Sequence, residues 1–155
     1  MSDATETPTA RDDARPALIC VDEGDRRAAV TAALQQLGYD AETPKDAAEA
    51  VDRLRKVPYQ VVVVDETYAG GSALDNAVLK ALNTMAMSVR RYMFVALLGA
   101  DVKTLDNGTA FARSVNAVVN VSDVGQLATL LRRAVADNDA FYRVFREVLQ
   151  AAGKR

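Results

Sequence analysis

Val61-Val62-Val63-Val64-Asp65 is the stretch that decides the fold. Consecutive β-branched residues are stiff at χ1 and favour an extended chain. A strand with one wet face alternates apolar and polar residues; this one does not, so both of its faces must be covered, as in a parallel sheet under helices. Pro58 breaks the chain just upstream, and Asp65 leaves a carboxylate at the carboxyl end. Working outward, Leu18-Ile19-Cys20-Val21 has the same character and ends in Asp22-Glu23. Open parallel sheets bind ligands outside the carboxyl ends of their strands. Three acids gathered there repel one another unless a cation or a proton joins them.

The rest of the chain alternates strand and helix patterns. Asp25 to Leu37 places Ala29, Val30, Ala33, Leu34 and Leu37 on one helical face, and Gly38 stops it. Tyr39 to Glu42 is a weak strand. Thr43-Pro44-Lys45-Asp46 predicts a helix start, with Thr43 as cap, Pro44 in the first turn and Asp46 reaching back. Ala47, Ala50, Val51 and Leu54 give that helix its apolar face. Gly70-Gly71 supplies turn geometry, and a helix is predicted from about Ala73 to Ala86. Met93 to Leu98 is a fourth strand. A helix over Thr109 to Val115 is weakened by Asn107-Gly108, and Ala117 to Val121 is a fifth strand. Ser122 or Asp123 then caps a final helix reaching as far as Ala151. Right-handed crossovers gather the carboxyl ends of all five strands on one edge.

Composition narrows the chemistry. The 155 residues favour one domain, half of them hydrophobic, with a net charge of -2. That charge gives no reason to expect nucleic acid or an anionic membrane as partner, and no apolar run approaches the roughly 20 residues that span a bilayer. The single cysteine, Cys20, excludes a disulfide framework and fits a reducing cytoplasm. With nothing basic beside it, Cys20 reads as a small core residue. Histidine is absent, so a Ser-His-Asp or Cys-His site cannot form. Neither GxxxxGK[ST] nor GxGxxG occurs. Met1 to Pro16 is polar with both charge signs and reads as a disordered leader or a linker stump, not as a secretory signal.

Over about Ala17 to Val135 the chain resembles the receiver domain of two-component response regulators. Asp22-Glu23 matches the acidic pair that ends the family's first strand, Asp65 matches its phosphorylated aspartate, and Lys45-Asp46-Ala47-Ala48-Glu49-Ala50-Val51 looks like its second-helix start. The resemblance implies a flavodoxin-like, doubly wound (βα)5 three-layer sandwich of the α/β class, with a central parallel five-stranded sheet and here an extended C-terminal helix. It divides the chain into a leader over 1–16, a receiver-like domain over 17–136 and a helical extension over 137–155. It implies Asp65 as phosphoacceptor, and a weak Mg²⁺ site from Asp22 or Glu23, Asp65 and the main-chain oxygen of Thr67. Mg²⁺ takes oxygen ligands octahedrally and neutralises charge at the acceptor.

The departures from the family matter equally. Asn120 stands where the family has a lysine and cannot supply its charge. Leu98 or Gly99, depending on register, stands where the family has Thr or Ser, and Ala117 replaces its aromatic switch. Tyr68-Ala69-Gly70-Gly71 replaces the usual loop after the phosphoacceptor. Asn120 has two open readings, a cap for the turn at Ser122 or a polar member of the pocket.

The final helix, taken from Asp123 to Gln150, is about 42 Å long. Phe141, Val144, Phe145, Val148 and Leu149 make an apolar stripe on it. That stripe either folds back on the domain or forms a homodimer seam or partner surface. Residues 137–155 leave no room for a helix-turn-helix. The expectation is therefore an atypical receiver, or pseudo-receiver, in a bacterial two-component pathway. It is not an enzyme and acts by contact with a protein such as a histidine kinase or another signalling protein. The alternatives are a working phosphoacceptor with Mg²⁺ and, remotely, a small phosphohydrolase with Asp65 as nucleophile. Asp65-Glu66-Thr67 resembles the haloacid-dehalogenase type of motif but lacks its second aspartate.

Overall fold

The computed structural model describes residues 15–72 and 75–153. The expected leader lies outside the described residues except for Arg15 and Pro16. Five strands, β1 (Pro16–Cys20), β2 (Asp40–Glu42), β3 (Val61–Asp65), β4 (Phe94–Gly99) and β5 (Ala117–Asn120), form one sheet in the order β2-β1-β3-β4-β5. Every pairing is parallel. The direction of strand progression reverses at β1 and β3, so the crevice for ligands in such a fold opens there. Asp22 and Asp65 stand at that point.

The helices are α1 (Asp25–Gln36), α2 (Ala47–Lys56), α3 (Ala77–Asn83), the single turn α4 (Met87–Arg90), α5 (Asn107–Ala112) and α6 (Leu127–Gly153). Strand parity sorts the core into two layers. Leu18, Cys20, Val62, Val64, Val95 and Leu97 face α2, α3 and α5 with Ala50, Leu54, Val78 and Leu82. Ala17, Ile19, Val61, Val63, Ala96 and Leu98 face α1 and α6 with Val30, Leu34, Leu127 and Leu131. All five residues of β3 are buried, as its unbroken valines require. Each valine contributes about 2 kcal/mol through burial.

Caps correct several predicted boundaries. Asp46, not Thr43, caps α2: its Oδ1 accepts from Glu49 N at 2.8 Å, and Glu49 Oε1 accepts from Lys45 N at 2.5 Å. Asp106 caps α5 by accepting from the Thr109 N–H and hydroxyl, so Asn107-Gly108 form its first turn instead of preceding it. The helix predicted over 73–86 is shorter, starting at Ala77 after an Asn76 cap and ending at Asn83 before α4; residues 73 and 74 lie outside the described residues. Between β5 and α6 the chain makes a 3-10 turn, Val121–Gln126, capped by Asn120. The final helix therefore starts at Leu127 rather than at Ser122 or Asp123. Gly38, at φ 88°, closes α1 as predicted. Its N–H donates to Gln35 O and that of Tyr39 to Leu34 O, the double bond that a left-handed residue permits.

Helix α6 has 27 residues, about 40 Å of length. Its first turns pack on α1 through the buried Leu127 and Leu131. Its second half leaves Phe141, Val144, Phe145, Val148 and Leu149 exposed, so the predicted stripe does not fold back into the core.

Candidate functional site

Asp65 has the parity of Val61 and Val63, so its side chain leaves β3 on the α1 side. It is 3% exposed. The Thr67 N–H and hydroxyl donate to its Oδ1 at 3.0 and 2.8 Å. Arg26, in the first turn of α1, places Nη1 2.5 Å from its Oδ2. Both carboxylate oxygens are thus held, and the charge is matched by a guanidinium. A carboxylate buried without such partners costs several kcal/mol.

The neighbouring acids serve other ends. Asp22 Oδ1 accepts from Ala69 N at 3.0 Å, tying the end of β1 to the loop after β3. Ala69 sits at φ 55° and Gly70 at φ 80°, so the loop turns through the left-handed region twice in succession. A Cβ on Gly71 stands 2.9 Å from the Asp75 carbonyl oxygen, so this turn also needs glycine for space. Glu23 is exposed. The Thr67 carbonyl accepts from Gly70 N at 3.1 Å. Among the described residues, no group of three or more His, Cys, Asp or Glu side chains stands together as a metal-ligand set. The residues present do not fit a magnesium ion in this arrangement. Asp22, Glu23, Asp65 and the Thr67 oxygen are at one sheet edge, but the cation beside Asp65 is Arg26.

Glu66 has the opposite parity and points toward α5. It is 8% exposed, and its Oε1 accepts from Arg113 Nη1 at 3.0 Å. Its carboxylate fills the space beside Gly99: a Cβ there stands 2.9 Å from Glu66 Oε2. A hydroxyl residue at Gly99 and Glu66 in this position exclude each other. Leu98 pairs with Asp65 across the ladder and is fully buried, and Ala117 is 5% exposed beside the α1 layer.

Asn120 takes the capping role. Its Oδ1 accepts from the Ser122 N–H and hydroxyl at 2.9 and 2.8 Å, and its Nδ2 donates to the carbonyls of Ala100 and Val102 at 3.2 and 2.8 Å. Both amide donors and both acceptor sites are used, leaving none for a phosphoryl group.

Two residues of this edge, Arg26 and Asn76, escaped the sequence reading. Asn76, 2% exposed, donates to the Asp65 and Glu66 carbonyls at 3.2 and 3.1 Å and accepts from the Val78 and Leu79 N–H groups at 3.0 and 3.1 Å. It caps α3 and clamps the end of β3 with one side chain. An asparagine directly before Ala77-Val78-Leu79 is a cap signal, and a helix predicted from Ala73 hid it. Around the crevice, burial pushes the Cys20 thiol up to about 12. Burial first, then the neighbouring Cys20 and Asp22, push the Tyr68 phenol up to about 12.

Comparisons with known proteins place the fold. No family model matches the chain, and no curated protein matches it. Solved structures do. A CheY-like response regulator receiver domain protein from Methanospirillum hungatei JF-1 superposes with a TM-score of 0.62 at 14% identity, over 83% of this chain and 98% of that one. The chemotaxis response regulator CheY4 of Vibrio cholerae gives 0.57 at 20% identity, over 78% and 98%. The receiver domain of a sensor histidine kinase from Pseudomonas aeruginosa PAO1, solved with a magnesium ion coordinated in its active site cleft, gives 0.60 at 17%, over 79% and 98%. The strand order, the five parallel strands and these superpositions together give the chain the CheY-like, flavodoxin-like fold of response regulator receiver domains.

Proposed function

We propose that this chain is a pseudo-receiver: a receiver-type module of two-component signalling, in a bacterial cytoplasm, that acts by protein contact and not by accepting phosphate. The observation that carries this reading is the Arg26–Asp65 ion pair with both Thr67 bonds. A nucleophilic carboxylate needs a free oxygen, and phosphoryl transfer needs its charge neutralised at the incoming group. Here the guanidinium neutralises Asp65 itself. Asn120, Gly99 and Ala117 supply neither a cation, nor a hydroxyl, nor an aromatic ring to register a phosphoryl group.

Intact mass after incubation with Mg²⁺ and a small phosphodonor tests the reading, and no gain of mass is expected. A gain of one phosphoryl group that disappears in Asp65→Asn overturns it in favour of a working phosphoacceptor. Steady release of phosphate from a monoester overturns it in favour of a hydrolase.

The exposed stripe on α6 is the surface we assign to protein contact, with a histidine kinase, another signalling protein or a second copy as occupant. Large apolar residues grouped beyond a complete core mark such surfaces. Light scattering on Phe141→Glu and Val148→Glu variants distinguishes the second copy. A drop in mass supports a homodimer, and a monomer mass before and after excludes it.

A further inference from the structure

At the amino-terminal edge of the sheet, opposite Asp65, the second half of α6 overhangs the body and encloses a cleft of about 500 Å³. Four guanidiniums line it: Arg15, Arg91, Arg143 and Arg146. No side-chain salt bridge joins any of the four among the described residues; Asp139 lines the cleft with them, and Asp40 Oδ2 accepts from the Arg15 backbone N–H at 3.2 Å. Two are held in place. Arg15 lies 4.1 Å over the Tyr39 ring and donates to the Leu37 carbonyl at 2.9 Å. Arg91 Nε donates to the Met87 carbonyl at 3.2 Å. Arg143 and Arg146, three residues apart, project from one side of α6. The walls also carry rings, Tyr39, Tyr92, Tyr142 and Phe145. Tyr142 and Phe145 stand edge to face with centroids 6.3 Å apart.

A concave site of roughly 300–1,000 Å³ with apolar walls and convergent polar groups suits a small ligand. Uncompensated arginines call for an anion. Flat aromatic faces call for a planar ring. We propose that this cleft binds a mononucleotide-sized aromatic anion, its charge held by Arg143 and Arg146 and its ring set against Tyr92 and Tyr142. An acidic peptide has the right charge, but it runs extended, and a cleft closed above by one helix suits a compact ligand better.

Calorimetric titration of the full chain with ADP, without metal, tests this. Saturable binding is expected, with adenosine and inorganic phosphate each weaker by about tenfold or more. Binding should weaken as salt rises from about 0.05 to about 0.5 M, because the Debye length shortens. Arg143→Gln with Arg146→Gln, both exposed and so compatible with folding by circular dichroism, should weaken ADP by about tenfold or more. Tyr92→Ser should weaken ADP and leave phosphate unchanged, and Asp65→Asn should leave ADP unchanged. The proposal is overturned by no saturable ADP binding or by phosphate binding as tightly as ADP. Arginine variants without effect, or an acidic tyrosine-containing peptide that binds where ADP does not, also overturn it.

Discussion

The two edges of the sheet are opposites. At the carboxyl edge, most polar side chains bond within the chain: Asp65 with Arg26 and Thr67, Glu66 with Arg113, and Asn76 and Asn120 with four bonds each, while Asp22 and Glu23 are exposed. At the amino edge, four arginines line a cleft with no side-chain salt bridge among the described residues, with Asp139 beside them and the Asp40 carboxylate on the Arg15 backbone N–H. At the edge where folds of this type place ligands, Asp65, Glu66, Asn76 and Asn120 bond to other residues of the chain, whereas the edge that the helix extension overhangs carries a cleft. On the pseudo-receiver reading proposed above, the fold's customary site serves as scaffold, its paired polar groups adding stability and specificity.

The sharpest way to break this comparison is at Asn76. Asn76→Ala strands two buried carbonyls and two buried N–H groups, and should destabilise the protein by about 3 kcal/mol in urea denaturation. A loss below about 1 kcal/mol would mean that water already reaches the carboxyl edge.

Gly99→Thr should cost about 2 kcal/mol by overpacking against the Glu66 carboxylate. The double variant with Glu66→Ala should recover much of that, and strictly additive losses would remove the steric coupling between the two positions.

Arg26→Ala should cost about 1–2 kcal/mol, less than a fully buried pair because Arg26 is 41% exposed while Asp65 is 4%. If Arg26→Ala also gains Mg²⁺ affinity, the guanidinium is confirmed as the resident cation of the crevice. A loss of stability below about 0.3 kcal/mol would make the pair incidental.

Tyrosine ionisation probes both edges at once. Tyr68 lies at the carboxyl edge. Tyr59 precedes β3 at the other, where burial and then its bond to Glu42 raise it to about 12. Unfolded tyrosine titrates near about 10, so these folded phenols hold their protons more tightly. Their contribution to stability is fully present below pH ~10 and is lost as pH rises through about 12. Absorbance at the tyrosinate band should show a late phase that falls by half in Tyr59→Phe and again in Tyr68→Phe. A titration complete by pH ~11 would break the expectation.

The smallest effect belongs to the amino edge. Arg143→Gln with Arg146→Gln should change stability by less than about 0.5 kcal/mol, since both side chains are exposed and neither has a hydrogen bond or ion pair among the described residues. A larger loss would show that the cleft is a structural feature.

Legibility in the sequence followed the range of the signal. Four of the strands were read to within a residue or two, because burial on both faces leaves an unbroken apolar run that needs no partner to be recognised. By contrast, β2, Asp40–Glu42, has no such run and gives a weak signal. Val61 to Val64 is the plainest case. Helix starts were read less well. Thr43, Ser122 and Asp123 were all plausible caps by type, but Asp46 and Asn120 won because their oxygens reached the free N–H groups. Asp65, Asp22 and Glu23 were placed at the correct edge by periodicity and topology. What surrounded them was not, since no local pattern pairs Arg26 with an acid 39 positions away.

By itself, the sequence determined the alternation of elements, the burial of β3 on both faces, the position of the acids and the overlong final helix. Each follows from local periodicity or from composition. Only the tertiary structure decided that Arg26, 39 positions from Asp65, neutralises it. The tertiary structure also decided that Glu66 fills the space Gly99 leaves, and that α6 roofs a cleft of arginines and rings. The physical reason is common to all three. Ion pairs, steric exclusion and cavities depend on distances between segments far apart in the chain, and those distances exist only once the layers have packed.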